Sequence, residues 1–274
     1  MRAPTSRPAP VLKYPGAKWT LASWIVSHMP PHTVYVEPFF GSGAVLFRKP
    51  RSRVELVNDL DDRVVNLFRV LRERPDELER AVRLTPYSRT EYLASYERSE
   101  DPLEDARRFL VRSWQAHALK VGGRSGWRYE ISDVRGRPAC GDWLTVPQRI
   151  QAAAERLSGV YIECRPAEEV IAAYSRSEAA ERTLFFIDPP YLLDSRPGYY
   201  RHEMTAADHA RLLGLLDAHP GPVLLSGYPH PLYEERLSHW HSTSREALAE
   251  KGRRRTEVLW LNPAAAEALE GRLF

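Results

Sequence analysis

Short apolar runs and helical patterns alternate at the two ends of the chain. The runs have the length of buried strands and cover residues 34–36, 54–57, 160–162, 184–187, 223–225 and 258–261. Helical patterns cover residues 23–29 and 61–72, and a further helix is expected to begin near residue 43. Alternation of this kind predicts an α/β fold.

The alternation stops between residues 73 and 158. Helical patterns in this stretch cover residues 91–96, 103–119 and 147–157. Its part 121–143 is rich in Gly, Arg and aromatic residues and has little helical pattern. We therefore expect a mainly helical insertion at 73–158, within an α/β domain built from 11–72 and 159–274. Residues 1–10 are Pro-rich, a composition that predicts disorder.

A carboxylate and a phenol ring follow the apolar run 184–187, in the segment Asp188-Pro189-Pro190-Tyr191. Two consecutive prolines cannot donate hydrogen bonds to a sheet, so a strand must end there. Ligands of open α/β sheets bind at the carboxyl ends of the strands. An acid, a fixed carbonyl and an aromatic face together suit a flat ring that carries an amine. The simpler interpretation is a Pro-rich turn with a buried Tyr.

A glycine-containing loop follows the first predicted strand, in the segment Glu37-Pro38-Phe39-Phe40-Gly41-Ser42-Gly43. Gly41 and Gly43 permit a tight turn and the close approach of a ligand to the backbone. The third glycine of the dinucleotide-binding pattern is missing, which argues against NAD or FAD. After the second predicted strand comes Asn58-Asp59, where Asp59 is placed to accept from ribose hydroxyls or to cap a helix.

Together these segments resemble the D12 class of adenine-N6 DNA methyltransferases, the family that includes the bacterial Dam enzymes. Lys13-Tyr14-Pro15-Gly16-Ala17-Lys18 is similar to the family's K-[WY]-x-G-x-K element. Residues 37–43 resemble its E-P-F-x-G-x-G loop, Asn58-Asp59 its N-D pair and Asp188 to Tyr191 its catalytic D-P-P-Y. Residues 256–262 resemble its last strand, and the layout is most similar to the compact versions found in phages and prophages.

The resemblance implies a Rossmann-like fold that uses S-adenosylmethionine to methylate N6 of an adenine flipped out of duplex DNA. The implied catalytic residues are Asp188, Pro189, Pro190 and Tyr191. The implied cofactor-binding residues are Tyr14, Lys18, Glu37, Pro38, Phe39, Gly41, Gly43, Asp59 and Asp188. One position departs from the family, because Pro166 stands where many relatives carry an Asp; Glu168 or Glu169 is a candidate replacement.

The insertion is implied to recognise the target DNA. Residues 107–137 carry seven Arg and Lys120 against two acids, a charge of +8 − 2 = +6 in a chain of net charge +3. Basic and aromatic side chains suit phosphate contacts and base readout. The predicted DNA-binding residues are Arg112, Trp114, Gln115, Lys120, Arg124, Trp127 and Arg128. The alternative is a solvated basic face with Trp114 in the core, because Trp114 lies within a helical pattern.

The composition and pattern of the sequence argue against a membrane protein, an exported protein and a metal site. No apolar run is long enough to span a bilayer and no signal-peptide pattern is present, so a cytoplasmic protein is expected. Cys140 and Cys164 lack metal-ligand spacing, which predicts free thiols and no metal.

A monomer is expected, with a cognate restriction nuclease as a candidate partner. The alternative functions are cytosine-N4 methylation, methylation of RNA or protein glutamine, and DNA binding without catalysis.

Overall fold

A computed structural model describes residues 9–117, 123–129, 139–192, 200–248 and 254–271. The disorder predicted for residues 1–10 therefore falls almost wholly outside the described residues, as does Lys120.

The strands of the described chain form one seven-stranded sheet. They are β1 (Val34–Glu37), β2 (Val54–Asn58), β3 (Tyr161–Glu163), β4 (Thr183–Ile187), β5 (Val223–Gly227), β6 (His241–Leu248) and β7 (Arg254–Leu261). Their spatial order is β3-β2-β1-β4-β5-β7-β6, in which β1 to β5 are parallel and β7 is antiparallel to both of its neighbours. The predicted Rossmann-like α/β fold class is confirmed.

Each predicted apolar run overlaps one of these strands, but β6 has no such run. Its sequence is mostly polar, and it is a strand because it pairs with β7 along its whole length. Edge strands bury little side-chain surface, so the hydrophobic pattern carries no signal for them.

Twelve α-helices lie in the described residues. They are α1 (Ala22–Ser27), α2 (Ala44–Arg48), α3 (Asp62–Glu73), α4 (Pro75–Leu84), α5 (Arg89–Ala94), α6 (Pro102–Gln115), α7 (Ala139–Trp143), α8 (Val146–Leu157), α9 (Ala167–Ser175), α10 (Ala206–Asp217), α11 (Pro231–Arg236) and α12 (Pro263–Glu270). The helix predicted over residues 103–119 ends at Gln115, because Ala116 is extended and bridges to Trp127.

Helices α4 to α8 occupy the stretch where the alternation stops. Helices α4, α6 and α8 pack against α3, and α5 and α7 pack against α6. Their buried side chains, such as Leu78, Phe109 and Ile150, share one hydrophobic cluster with Phe68 of α3 and Leu184 of β4. The cluster is continuous from the sheet into the helical stretch. A separate insertion at 73–158 stays a prediction.

The strand order reverses between β1 and β4. From β1 the chain continues to β2 and β3 on one side, and from β4 it continues to β5 on the other side. In parallel sheets a crevice opens at such a point, outside the carboxyl ends of the strands. The loops after β1, β2 and β4 therefore meet at one edge. These are the loops that carry the glycine segment, Asn58-Asp59 and Asp188.

A buried ion cluster joins β2 to α8. Glu55, only 3 % exposed, accepts hydrogen bonds from Lys49 Nζ at 2.6 Å and from Arg156 Nη1 and Nη2 at 2.6 and 2.8 Å. Burial raises the pKa of Glu55, but the hydrogen bonds from Arg156 and Lys49 outweigh that effect and lower it. The carboxylate thus compensates two cations that are themselves largely buried.

Replacing Glu55 with Ala should lower the free energy of unfolding by about 3–5 kcal/mol, because it leaves two cations uncompensated in the interior. Urea unfolding followed by circular dichroism measures the change. Glu77→Ala, which removes an exposed ion pair with Arg74, is the matched control and should change stability little. Equal effects of the two substitutions would contradict the role given to Glu55.

Candidate active site

A cavity of about 610 Å³ opens at the carboxyl edge of the sheet. Its walls are the loops after β1, β2 and β4, the start of α9, the segment 14–18 and the segment 200–204. The predicted cofactor-binding residues that line it are Tyr14, Lys18, Glu37, Pro38, Phe39, Gly41, Asp59 and Asp188. This volume is typical of sites for small organic ligands.

Gly43 differs from the other predicted residues because its role is in the turn. It has φ of +69°, and an added Cβ would lie 2.5 Å from Cζ of Phe40 and 2.8 Å from Phe47. Gly41, with φ of +50°, lies against the Tyr14 ring at the cavity wall. A side chain at position 43 would therefore disrupt the aromatic core under the loop rather than occlude a ligand.

Asn58 and Asp59 join the loops of three strands. The buried Asn58 amide donates to Pro38 O at 2.9 Å and to Arg165 O at 3.0 Å, and its Oδ1 accepts from Arg165 N at 2.9 Å. Asp59 accepts from Gly41 N at 2.8 Å and from Asp61 N at 2.9 Å. The cap of α3 is Asp61, so Asp59 is not the capping residue.

Asp188 begins the loop after β4, and its carboxylate is 18 % exposed. Its Oδ1 lies 3.1 Å from Lys18 Nζ, an ion pair without a well-directed hydrogen bond among the described residues. Lys18 is anchored by Gly16 O at 2.6 Å, and its Nζ lies 4.6 Å from the centre of the Tyr191 ring. Burial raises the pKa of Asp188, and the Lys18 charge opposes that shift. A nitrogen cation thus lies between the acid and the aromatic face.

The remaining residues of the segment 188–191 lie in different surroundings. Pro190 lines the cavity, whereas Pro189 is buried. The Tyr191 hydroxyl donates to Glu257 Oε2 at 2.9 Å and lies 3.0 Å from Ser226 Oγ. Its ring meets that of Tyr228 edge to face, with 4.5 Å between centres.

The cavity wall is acidic. Seven carboxylates line it against three cations, Lys18, Arg201 and Arg211. The carboxylates are Glu37, Asp59, Asp61, Glu168, Asp188, Glu203 and Asp208. Burial raises the pKa of Glu37 to about 8 and that of Asp59 to about 6. An excess of acids favours a positively charged ligand over an anionic dinucleotide.

Pro166, which stands where many relatives carry an Asp, has a carboxylate close to it in the sequence. Pro166 precedes α9, and Glu168 in its first turn lines the cavity. Glu169 pairs instead with Arg165 at 3.1 Å. Of the two candidate replacements, Glu168 is the one that the fold brings to the cavity.

Three of the residues predicted to bind DNA lie in the interior of the protein. Arg112, Trp114 and Gln115 are buried in α6. Trp114 Nε1 donates to Val11 O at 2.6 Å, and Arg112 Nη2 donates to Gly123 O at 3.1 Å. Helix α6 packs against α3, α4, α5 and α7, so little of its surface remains outside. The burial of these three side chains argues against direct contacts with DNA.

The other residues predicted to bind DNA lie nearer the surface. Arg124 is exposed, with its guanidinium 5.2 Å from the Tyr96 ring. Trp127 stacks on the exposed Tyr129 at 5.2 Å between centres. Arg128 lies 3.3 Å from Asp142. Lys120 lies outside the described residues.

Sequence reasoning did not find the contact of Glu257 with Tyr191. The only signal was the place of Glu257 in the segment that resembles the family's last strand. The two residues are 66 positions apart in the sequence, and a contact between residues so far apart leaves no local sequence pattern.

No group of His, Cys, Asp or Glu in the described residues is arranged to hold a metal ion. Among those same residues, no helix has the length and apolar character needed to cross a membrane.

The raised pKa of Glu37 predicts a pH-dependent stability. Because its folded-state pKa of about 8 exceeds the ordinary 4.5, the folded protein retains a proton that the unfolded chain releases. The free energy of unfolding should fall between pH 4.5 and 8, by on the order of a few kcal/mol. Glu37→Gln should lose this dependence, as measured by urea unfolding across that range.

The exposed Glu235→Gln is the control and should follow the wild type. Parallel pH profiles for wild type and Glu37→Gln would show that Glu37 titrates normally in the folded protein.

The chain is similar to several known proteins. The chain is 25 % identical over 242 residues to the DNA adenine methylase of Escherichia coli (strain K12), covering 82 % of each chain. It is 24 % identical over 267 residues to the DNA adenine methylase of Salmonella typhi, covering 90 % of this chain and 91 % of the other. The solved rRNA methyltransferase aviRa from Streptomyces viridochromogenes aligns with a TM-score of 0.40 at 16 % identity, over 96 % of this chain and 92 % of that one. The model of the D12 class N6 adenine-specific DNA methyltransferases matches residues 14–251, so the chain belongs to that family and the resemblance is confirmed.

Proposed function

We propose that this adenine-specific DNA methyltransferase uses S-adenosylmethionine and that Asp188 activates N6 of a flipped adenine for methylation. The observation that carries the proposal is the position of Asp188. It lies at the carboxyl end of a central strand, at the wall of an acidic cavity, with a nitrogen cation 3.1 Å from its carboxylate. A substrate amine gains positive charge as it is methylated, and a carboxylate that already holds a nitrogen cation is suited to stabilise that charge.

The cavity fits the proposed cofactor in size and charge. S-adenosylmethionine supplies an activated methyl group on a positively charged sulfonium. Asp59 has lone pairs left after its two backbone hydrogen bonds, which suit ribose hydroxyls. Glu168 adds negative charge to the wall, and Glu37 adds a buried carboxyl group whose raised pKa favours the neutral form. Tyr14 and Phe39 add aromatic surface.

The chain's own residues act on the amine. The N6 lone pair of adenine is delocalised into the ring, so hydrogen bonds from the amine to the Asp188 carboxylate and the Pro189 carbonyl would localise it. The same contacts stabilise the positive charge that develops on nitrogen. Lys18 has to move when the amine approaches, because its ammonium lies against Asp188 and over the Tyr191 ring.

Access to N6 requires the base to leave the duplex, at a cost of a few kcal/mol. Stacking on the Tyr191 ring would offset part of this cost. On the DNA side we infer that Arg124 contacts phosphate, because it is exposed on the segment that precedes Trp127. Arg89 adds a further cation there, 5.0 Å from the Trp127 ring.

Asp188→Ala should remove methyl transfer while the protein stays folded and binds DNA, because Asp188 adds little to the core. Asp188→Asn should also be severely impaired, since the charge is needed as nitrogen becomes positive. Mass spectrometry of nucleosides from treated DNA measures N6-methyladenine, with the exposed Asp76→Asn as control. Activity within about tenfold of wild type would reject this role for Asp188.

N4-methylcytosine as the product would favour the cytosine alternative over the proposed function. Methylation of RNA in place of DNA would favour the RNA alternative.

Arg124→Ala should weaken DNA binding and reduce the slope of log affinity against log salt by about 0.9, the effect of one lost phosphate contact. Filter binding at several salt concentrations measures the slope. Affinity for S-adenosylmethionine should stay unchanged, because Arg124 is not part of the cavity wall. Arg83→Ala, an exposed arginine of α4, is the matched control. An unchanged slope would remove Arg124 from the DNA face.

A further inference from the structure

A buried carboxylate lies behind the aromatic ring of the catalytic segment. Glu257 is 8 % exposed and belongs to β7. Burying an acid is costly unless hydrogen bonds compensate it, and a leucine there would pack without that cost. Burial raises the pKa of Glu257, whereas the Lys18 charge and the hydrogen bonds from Tyr191 and Tyr228 act in the opposite direction.

The sheet topology explains how Glu257 reaches this place. Because β7 is antiparallel to β5, residues that precede Val258 extend past Gly227, the last residue of β5. Glu257 is therefore the first residue of β7 beyond the pairing with β5, at the same edge as Asp188, and it still pairs with Arg245 of β6. Ser226, next to the end of β5, reaches the same point from the neighbouring strand.

The Tyr191 hydroxyl lies between these two side chains. It donates to Glu257 Oε2 at 2.9 Å and is 3.0 Å from Ser226 Oγ. The Tyr228 ring contacts the Tyr191 ring edge to face. The Arg255 guanidinium lies 5.2 Å from the centre of the Tyr228 ring. The hydroxyl end of Tyr191 is thus fixed by hydrogen bonds to two neighbouring strands and its ring by an aromatic contact.

We propose that Glu257 and Ser226 are positioning residues that hold the Tyr191 ring in the orientation on which a flipped adenine stacks. This inference rests on the proposed function. A tyrosine that turned freely about its side-chain bonds would lose rotational freedom each time a base stacked on it. Hydrogen bonds that fix the ring beforehand remove that loss and keep N6 aligned with Asp188.

The test is a double-mutant cycle on kcat/KM for DNA, measured with purified full-length chain. Glu257→Ala and Tyr191→Phe should each lower kcat/KM by about 10- to 100-fold, as expected for one lost hydrogen bond to a charged group. The double variant should be no slower than Tyr191→Phe, because Tyr191→Phe already removes the contact with Glu257 as well as the contact with Ser226. Glu257→Gln should retain activity within about threefold, since its amide oxygen can accept the same hydrogen bond.

Two controls separate positioning from folding. Glu246→Ala lies on the same hairpin, where Glu246 accepts from Thr256 Oγ1, and it should leave kcat/KM within about twofold of wild type. Affinity for S-adenosylmethionine should be equal in wild type, Glu257→Gln and Tyr191→Phe, and the circular dichroism spectra at the assay temperature should show all three to be folded.

Additive losses in the double variant overturn the inference, as does a Glu257→Gln variant as slow as Glu257→Ala. In both cases wild-type N6-methyladenine still forms, so the proposed function stands. A wild-type chain that forms no N6-methyladenine overturns the proposed function and this inference together.

Discussion

The hydrogen bonds of the Asn58 side chain are the interaction on which the site depends. One buried amide joins the loop after β1 to the segment after β3, and its neighbour Asp59 accepts from Gly41. Loops at the ends of parallel strands have no sheet partners of their own, so side chains must order them. The cavity wall keeps its shape because two consecutive polar residues at the end of β2 satisfy backbone groups of both neighbouring loops.

The acidic wall would be unfavourable if all of its carboxylates were ionised together. Burial favours the neutral form of Glu37, and Lys18 partly neutralises Asp188. The free protein thus tolerates the excess of acids by holding a proton and an internal ammonium group. A cationic ligand can replace these internal charges, which makes the same wall complementary to it.

The sequence predicted those parts of the site in which local chemistry forces a structure. Two prolines end β4 before Tyr191, and Gly43 adopts a positive φ that other residues avoid. It named Trp114 and Gln115 as candidate DNA contacts, with the core as the alternative for Trp114, and both side chains are buried in α6. Burial there comes from helices packed around α6 on several sides, and a helical pattern in one segment does not reveal how many neighbours it acquires. The Glu257 contact was missed because it depends on strand pairing across 66 residues.

The antiparallel course of β7 also orders events during synthesis. The residues that line the cavity all precede residue 213, whereas the carboxylate that holds the Tyr191 hydroxyl is at residue 257. Contacts of long sequence separation form late and slowly. During synthesis, the hydrogen bond between Glu257 and Tyr191 is therefore among the last contacts at this edge of the sheet that can form.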